Sequence, residues 1–143
     1  MGQKQVCISQ MLQDIQYLTG ADFVAVAKVD KKEQSLQWIY GSGSRNERYK
    51  RISSPLGRSI MGRVIRSGRP VVVESFAPKS GDDPSQYPIF LAENLQAIIA
   101  APLNEQERAF GVLLVGNRVS RIFSQEEVAL VLHQAKTIES ALL

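Results

Sequence analysis

This chain of 143 residues has one cysteine, Cys7, and one histidine, His133. A single cysteine excludes an intrachain disulfide and a cysteine-built metal cage. It fits a reducing compartment. No apolar run reaches the length of a membrane span; Ala97-Ile98-Ile99-Ala100-Ala101 stops at Pro102. The N-terminus lacks a charged stretch followed by an apolar core, so no signal peptide and a cytoplasmic location are expected. Internal repeats and low-complexity segments are absent. No nucleophile–base pair, paired acids or metal-ligand spacing stands out, so we expect no enzymatic activity, no metal and no cofactor.

Charge of either sign is not in excess: Lys and Arg number 17 against 14 Asp and Glu. The bias is local. Arg45, Arg48, Lys50, Arg51, Arg58, Arg63, Arg66 and Arg69 face one acid, Glu47, over the same span. Such a run reads as a solvated face, a surface for an acidic partner, or an anion-steering surface. Without interleaved aromatics or a recognition helix it does not point to nucleic acid. The length fits a single domain over residues 1–143 with a substantial core.

The stretch around which the rest is organised is Ser54 to Val73. Pro55 and Gly57 make a turn. Ser59 reads as an N-cap, and Ile60, Met61, Val64 and Ile65 form the apolar stripe of a short helix. Gly68 ends that helix and Pro70 opens the strand Val71–Val73. The first amides of a helix have no partner inside it and carry the positive end of its dipole. They therefore form a candidate anion site, walled by Ile60 and Met61. The plainer alternative is a helix whose first amides are satisfied by Ser59 and water.

In chain order, Ile8, Met11, Leu12, Ile15 and Leu18 fall at helical spacing and Gly20 ends that helix. Phe23–Val29 and Leu36–Tyr40 form a hairpin about Asp30-Lys31-Lys32. Strict alternation puts Leu36, Trp38 and Tyr40 on one face. Residues 45–52 read as a short edge strand or a loop. Glu74–Gln86, broken by Pro78, Gly81 and Pro84, reads as a long mobile loop of the kind that serves as a lid. Tyr87 to Leu95 is a second short helix with Pro88 at its first position. Ala97–Leu103 and Phe110–Gly116 form a second hairpin. Ser124 and Glu127 have capping-box spacing. They start a helix with Val128, Val131, Leu132, Ala135, Ile138 and Leu142 on one stripe. Hairpins argue for an antiparallel sheet. The expected fold is α+β, with terminal helices on one face and short helices and loops enclosing a pocket on the other.

Four pieces, in this order, resemble the GAF family over nearly the whole chain. Leu18 to Val26 is similar to its first helix-to-strand junction. Gly57-Arg58-Ser59-Ile60-Met61-Gly62-Arg63-Val64 resembles its Gly-x-Gly-(Ile/Leu)-Ala-Gly-x-Val motif, with Ser59 and Met61 as departures. Phe110 to Val115 resembles its Gly-Val-Leu strand, and Phe123 to Val131 its closing helix. The resemblance implies a small-molecule sensor. Sulfoxide-reductase and bilin-binding members need pocket cysteines, and Cys7 lies in the first helix. His133 in the last helix is not placed to ligate a haem. Asn117-Arg118 with Phe123 and Glu126-Glu127 only loosely echoes the cyclic-nucleotide pattern.

What remains is similar to the stand-alone nitrate-receptor GAF proteins of the Nre type, which act beside a sensor histidine kinase. The matching residues are Trp38, Ile60-Met61 and Tyr87-Pro88-Ile89. The resemblance implies that the amides of Ile60, Met61 and Ile89 hold a nitrate or similar monovalent anion under Trp38. Met61 stands where a small residue is expected and narrows or reshapes the pocket. Trp38 and Tyr87-Pro88 read equally as core packing and a helix-start turn. The expected partners are the anion, a sensor histidine kinase, and a second copy through the terminal helices, with no nucleic acid and no membrane. The alternatives are a ligand-free dimerisation or interaction module, and a sensor of another small molecule.

Overall fold

The strand Phe23–Ala27 is buried at every position, because the sheet it belongs to is covered on both faces. Side chains alternate across a strand. Val24 and Val26 therefore enter one core, while Phe23, Ala25 and Ala27 enter the other. The same division runs through the neighbouring strands. Ile99, Ala101, Leu103, Leu113 and Val115 join the first core; Ile98, Ala100, Val112 and Leu114 join the second.

The computed structural model describes residues 2–44, 46–57, 59–76 and 88–142, with side chains from Cys7 onward. Its elements are α1 (Gly2–Thr19), β1 (Phe23–Asp30), β2 (Ser35–Ser42), a 3-10 turn (Arg48–Arg51), β3 (Ser53–Pro55), α2 (Ile60–Ser67), β4 (Val71–Val73), α3 (Pro88–Ala92), β5 (Ala97–Glu105), β6 (Arg108–Asn117) and α4 (Gln125–Leu142). The six strands form one sheet in the order β3-β2-β1-β6-β5-β4. Every pairing is antiparallel. This is the expected α+β architecture.

The terminal helices lie on one face. Ile8, Leu12 and Ile15 of α1 and Val131, Ala135, Ile138 and Leu142 of α4 fill the first core. Both ends of this layer are capped as the sequence predicts. Gly20 turns the chain at φ 70° after α1. At the start of α4, the Glu127 N–H donates to Ser124 Oγ at 3.1 Å and the Ser124 N–H donates to Glu127 Oε1 at 2.9 Å. The second core, on the opposite face, receives Met61 and Val64 from α2 and Ile89 and Phe90 from α3.

One sequence expectation needs correction. Tyr40 does not share a face with Leu36 and Trp38. Val26 pairs with Tyr40 and the next residue, Ala27, pairs with Trp38, so Ile39 is an extra residue on β2. Such a bulge resets the alternation. Leu36 and Trp38 enter the second core while Tyr40 packs on the first. Of the two alternatives for 45–52, positions 46–52 take the loop, with a 3-10 turn at Arg48–Arg51, and the edge strand begins at Ser53. Of the expected loop Glu74–Gln86, positions 77–86 lie outside the described residues, as does Tyr87.

Candidate functional site

The start of α2 is built by three residues. Ser59 is extended at φ −73° and ψ 164° and its hydroxyl accepts from the Gly62 N–H. The same hydroxyl donates to Pro55 O at 2.6 Å, fixing the preceding turn to the cap. Gly62 allows the closest approach. A Cβ there would sit 1.8 Å from the Leu56 carbonyl oxygen, so any side chain would push the turn off the helix. Arg66 closes the turn from the far end of α2, donating to Leu56 O at 2.7 Å and also to Gly57 O. Gly68 ends the helix in the left-handed region at φ 67°.

This cap decides which amides remain. Ser59 Oγ takes the Gly62 N–H at 3.0 Å. Ser59 O takes the Arg63 N–H at 3.1 Å. Among the described residues, no acceptor meets the amides of Ile60 and Met61. Met61 is buried and Ile60 is half-buried against the same core. Two dipole-end donors thus begin a helix whose neighbouring side chains are apolar.

α3 makes a second such start. Pro88 occupies its first position, where a missing N–H costs nothing. The Ile89 amide also meets no acceptor among the described residues. At the other end Asn94 adopts φ 54°. The Leu95 N–H donates to Phe90 O at 2.9 Å and the Asn94 N–H donates to Leu91 O at 3.3 Å. That is a Schellman stop, which fixes where this short helix ends.

Trp38, Met61 and Ile89 come together in the second core, with Phe23, Tyr49 and Phe90. The Trp38 indole N–H donates to Ser54 Oγ at 2.9 Å. Trp38 is 2% exposed, so its ring is an apolar wall whose one donor is already used. Ser54 lies on β3, and β3 touches both α2 and α3. The short edge strand therefore seats the tryptophan and touches both short helices. Tyr49 packs over Gly41, where a Cβ would lie 2.7 Å from the ring. Burial pushes the Tyr49 phenol up, so it stays a neutral group.

Ser54 escaped the sequence reading because its role depends on the pairing of Leu36 with Ser54 in β3. Glu93 and Arg118 escaped it too. The Glu93 side chain is 0% exposed and meets Arg118 Nη2 at 2.7 Å. The signal available was Asn117-Arg118, which the structure places in a polar junction with Asp22 and Gly20. His133 and Cys7 are exposed, away from both cores. Among the described residues no group of His, Cys, Asp and Glu is placed to hold a metal. No helix among them is long and apolar enough to cross a membrane.

The GAF-domain model matches residues 5–143. The chain belongs to the GAF family. Among solved structures it is similar to an NreA protein from Staphylococcus aureus mutated in its nitrate binding site. The two are 30% identical over 88% of this chain and 94% of that one, with a TM-score of 0.72. A hypothetical protein from S. aureus is 33% identical over 80% of this chain and 94% of that one, with a TM-score of 0.68. The GAF domain of a phosphoenolpyruvate-protein phosphotransferase from Coxiella burnetii shares the fold at a TM-score of 0.80. It is 16% identical over 97% of this chain and 82% of that one. No curated protein matches the chain. As a GAF domain the chain is a small-ligand sensor domain.

Proposed function

We propose that this GAF domain is a receptor for nitrate, held by the amides of Ile60, Met61 and Ile89 under Trp38, with Pro88 at the second helix start and Tyr87, outside the described residues, as a further expected contact. The observation that carries the reading is the pair of amides at Ile60 and Met61 that meet no acceptor among the described residues, at the edge of a core shared with a tryptophan whose own N–H is already bound to Ser54. Nitrate is planar, singly charged and weakly hydrated. Neutral amide donors inside apolar walls suit it better than an arginine fork, which favours carboxylate or phosphate. Likeness to an NreA protein with a nitrate binding site supports the same ligand.

A hydrogen bond from an amide to a charged group contributes roughly 1.5–3 kcal/mol. Three of them with burial give a dissociation constant on the order of micromolar. The domain acts by binding and not by catalysis. Its signalling partner, on the Nre-type resemblance, is a sensor histidine kinase. The second reading is a ligand-free interaction module. It is favoured by one observation: Trp38, Met61 and Ile89 are all nearly fully buried by one another and their neighbours.

Thermal midpoints measured with nitrate, nitrite, iodide, cyclic nucleotides and free amino acids separate the two. A ligand that binds only the native state raises the midpoint with concentration. The receptor reading expects a rise with nitrate and not with cyclic nucleotides or amino acids. A midpoint flat across the whole series favours the interaction module and removes the receptor.

A further inference from the structure

We propose that Glu93 and Arg118 form a buried latch that positions α3 for ligand binding and carries occupancy of that site to the junctions where α1 ends and α4 begins. The inference rests on the receptor reading above and names how that site is regulated.

α3 is five residues long, and a helix of that length has no stability of its own. Its position is set by what holds its ends. The Glu93 N–H donates to Ile89 O at 3.1 Å, so Glu93 belongs to the same turn as the proposed ligand contact. Arg118 grips Glu93 twice. Its Nη2 donates to Glu93 Oε1 at 2.7 Å and its Nε donates to Glu93 O at 3.0 Å. Side chain and main chain are thus both fixed, which sets the orientation of α3 as well as its location. The second carboxylate oxygen accepts from Ser44 Oγ at 2.6 Å. Arg118 Nη2 also donates to Gly43 O at 3.2 Å, tying in the end of the β2 segment.

The far side of the latch reaches the terminal helices. The Arg118 backbone N–H donates to Asp22 Oδ2 at 2.7 Å, between α1 and β1. The adjacent Asn117 donates to Gly20 O at 3.0 Å, just past the end of α1. Asn117 Oδ1 accepts from Arg121 Nη1 at 3.0 Å, and Arg121 pairs with Glu127 in the first turn of α4. A continuous set of hydrogen bonds therefore runs from Ile89 through Glu93 and Arg118 to both terminal helices. A buried ion pair is weak evidence for stability, since apolar side chains of similar volume often serve as well. What this pair adds is one defined geometry, which a shift of α3 disturbs and a fixed α3 restores.

The test compares wild type with Arg118→Lys, which keeps the charge but loses the Nε donor to Glu93 O, and with Ser44→Ala, which removes the Oε2 contact and the acceptor of the Glu47 N–H while leaving Arg118 in place. Nitrate is the probe. Affinity is read by calorimetry, and hydrogen exchange is followed over residues 14–24 and 118–130, with β5 as the internal reference. In wild type, nitrate slows exchange in both segments. In Arg118→Lys, nitrate binds at least tenfold more weakly and the slowing in both segments is lost at saturating nitrate. Ser44→Ala lies between the two. Wild-type affinity and wild-type slowing in folded Arg118→Lys overturn the latch alone. If Arg118→Lys fails to fold, Ser44→Ala decides: unchanged affinity and unchanged slowing overturn the latch. A wild-type protein that does not bind nitrate overturns the receptor reading and the latch with it.

Discussion

At the scale of single residues, close approaches and caps fix the two short helices. Gly62 has no room for a Cβ, because the Leu56 carbonyl oxygen is backbone and cannot swing away. Gly62→Ala should therefore destabilise by about 1–3 kcal/mol, as overpacking does, read as a lower urea midpoint at unchanged slope. Glu127 is the residue with a pH signature. The Ser124 amide holds its carboxyl below the usual carboxylate range, and Arg121 adds to this against an opposing effect of burial. A depressed folded value means that the stabilisation is present above the ordinary glutamate pKa of about 4.3 and is lost as pH falls through the folded value. Glu127→Gln should thus lower the thermal midpoint at pH 7 and narrow its gap from wild type in acid. A gap that does not shrink on acidification contradicts this. Residues of this kind were legible in the sequence, because Ser59, Gly68 and the Ser124–Glu127 pair act within one turn of helix. Ser54 was not legible. Its bond to Trp38 spans two strands and exists only once their register is fixed.

At the scale of elements, the helices and hairpins were readable from periodicity and turn residues, while faces and edges were not. A single extra residue, Ile39, sends Tyr40 to the opposite core from Trp38, and nothing in the local composition marks it. The three-residue edge strand β3 was hidden in a turn signal, yet its Ser54 holds the Trp38 indole and the strand touches both α2 and α3. The terminal helices carry a further expectation. Ile8, Leu12, Ile15, Val131 and Ile138 are wholly used within the chain, leaving Met11, Val128 and Leu132 half-buried at the outer side of the layer. We propose that a second copy or the kinase covers that side. Sedimentation should show a dimer that Leu132→Glu disrupts. A strict monomer removes the self-association branch and leaves the kinase branch, which Leu132→Glu should then weaken in a kinase-binding assay.

At the scale of the whole molecule, the sheet separates two tasks. One face carries the terminal helices; the other carries α2, α3 and the tryptophan. The exposed cations Arg48, Lys50, Arg51, Arg63 and Arg69 lie in the 3-10 turn and on or beside α2, the segment that supplies the proposed anion donors. A cluster of cations draws in an anion through a field that salt screens. Holding it is assigned to the backbone, and this is the central claim. It can be tested without touching the fold. Ser59 already has the extended conformation that a residue before proline requires, and the first helical position tolerates proline. Ile60→Pro therefore removes one donor and keeps the helix, whereas Ile60→Ala keeps the donor and trims the wall. Calorimetric titration of nitrate into wild type, Ile60→Ala and Ile60→Pro is the decisive measurement. The account predicts micromolar binding to wild type, a loss of a few fold in Ile60→Ala, and a loss of roughly tenfold to a hundredfold in Ile60→Pro. Nitrate bound by Ile60→Pro as tightly as by wild type would contradict it.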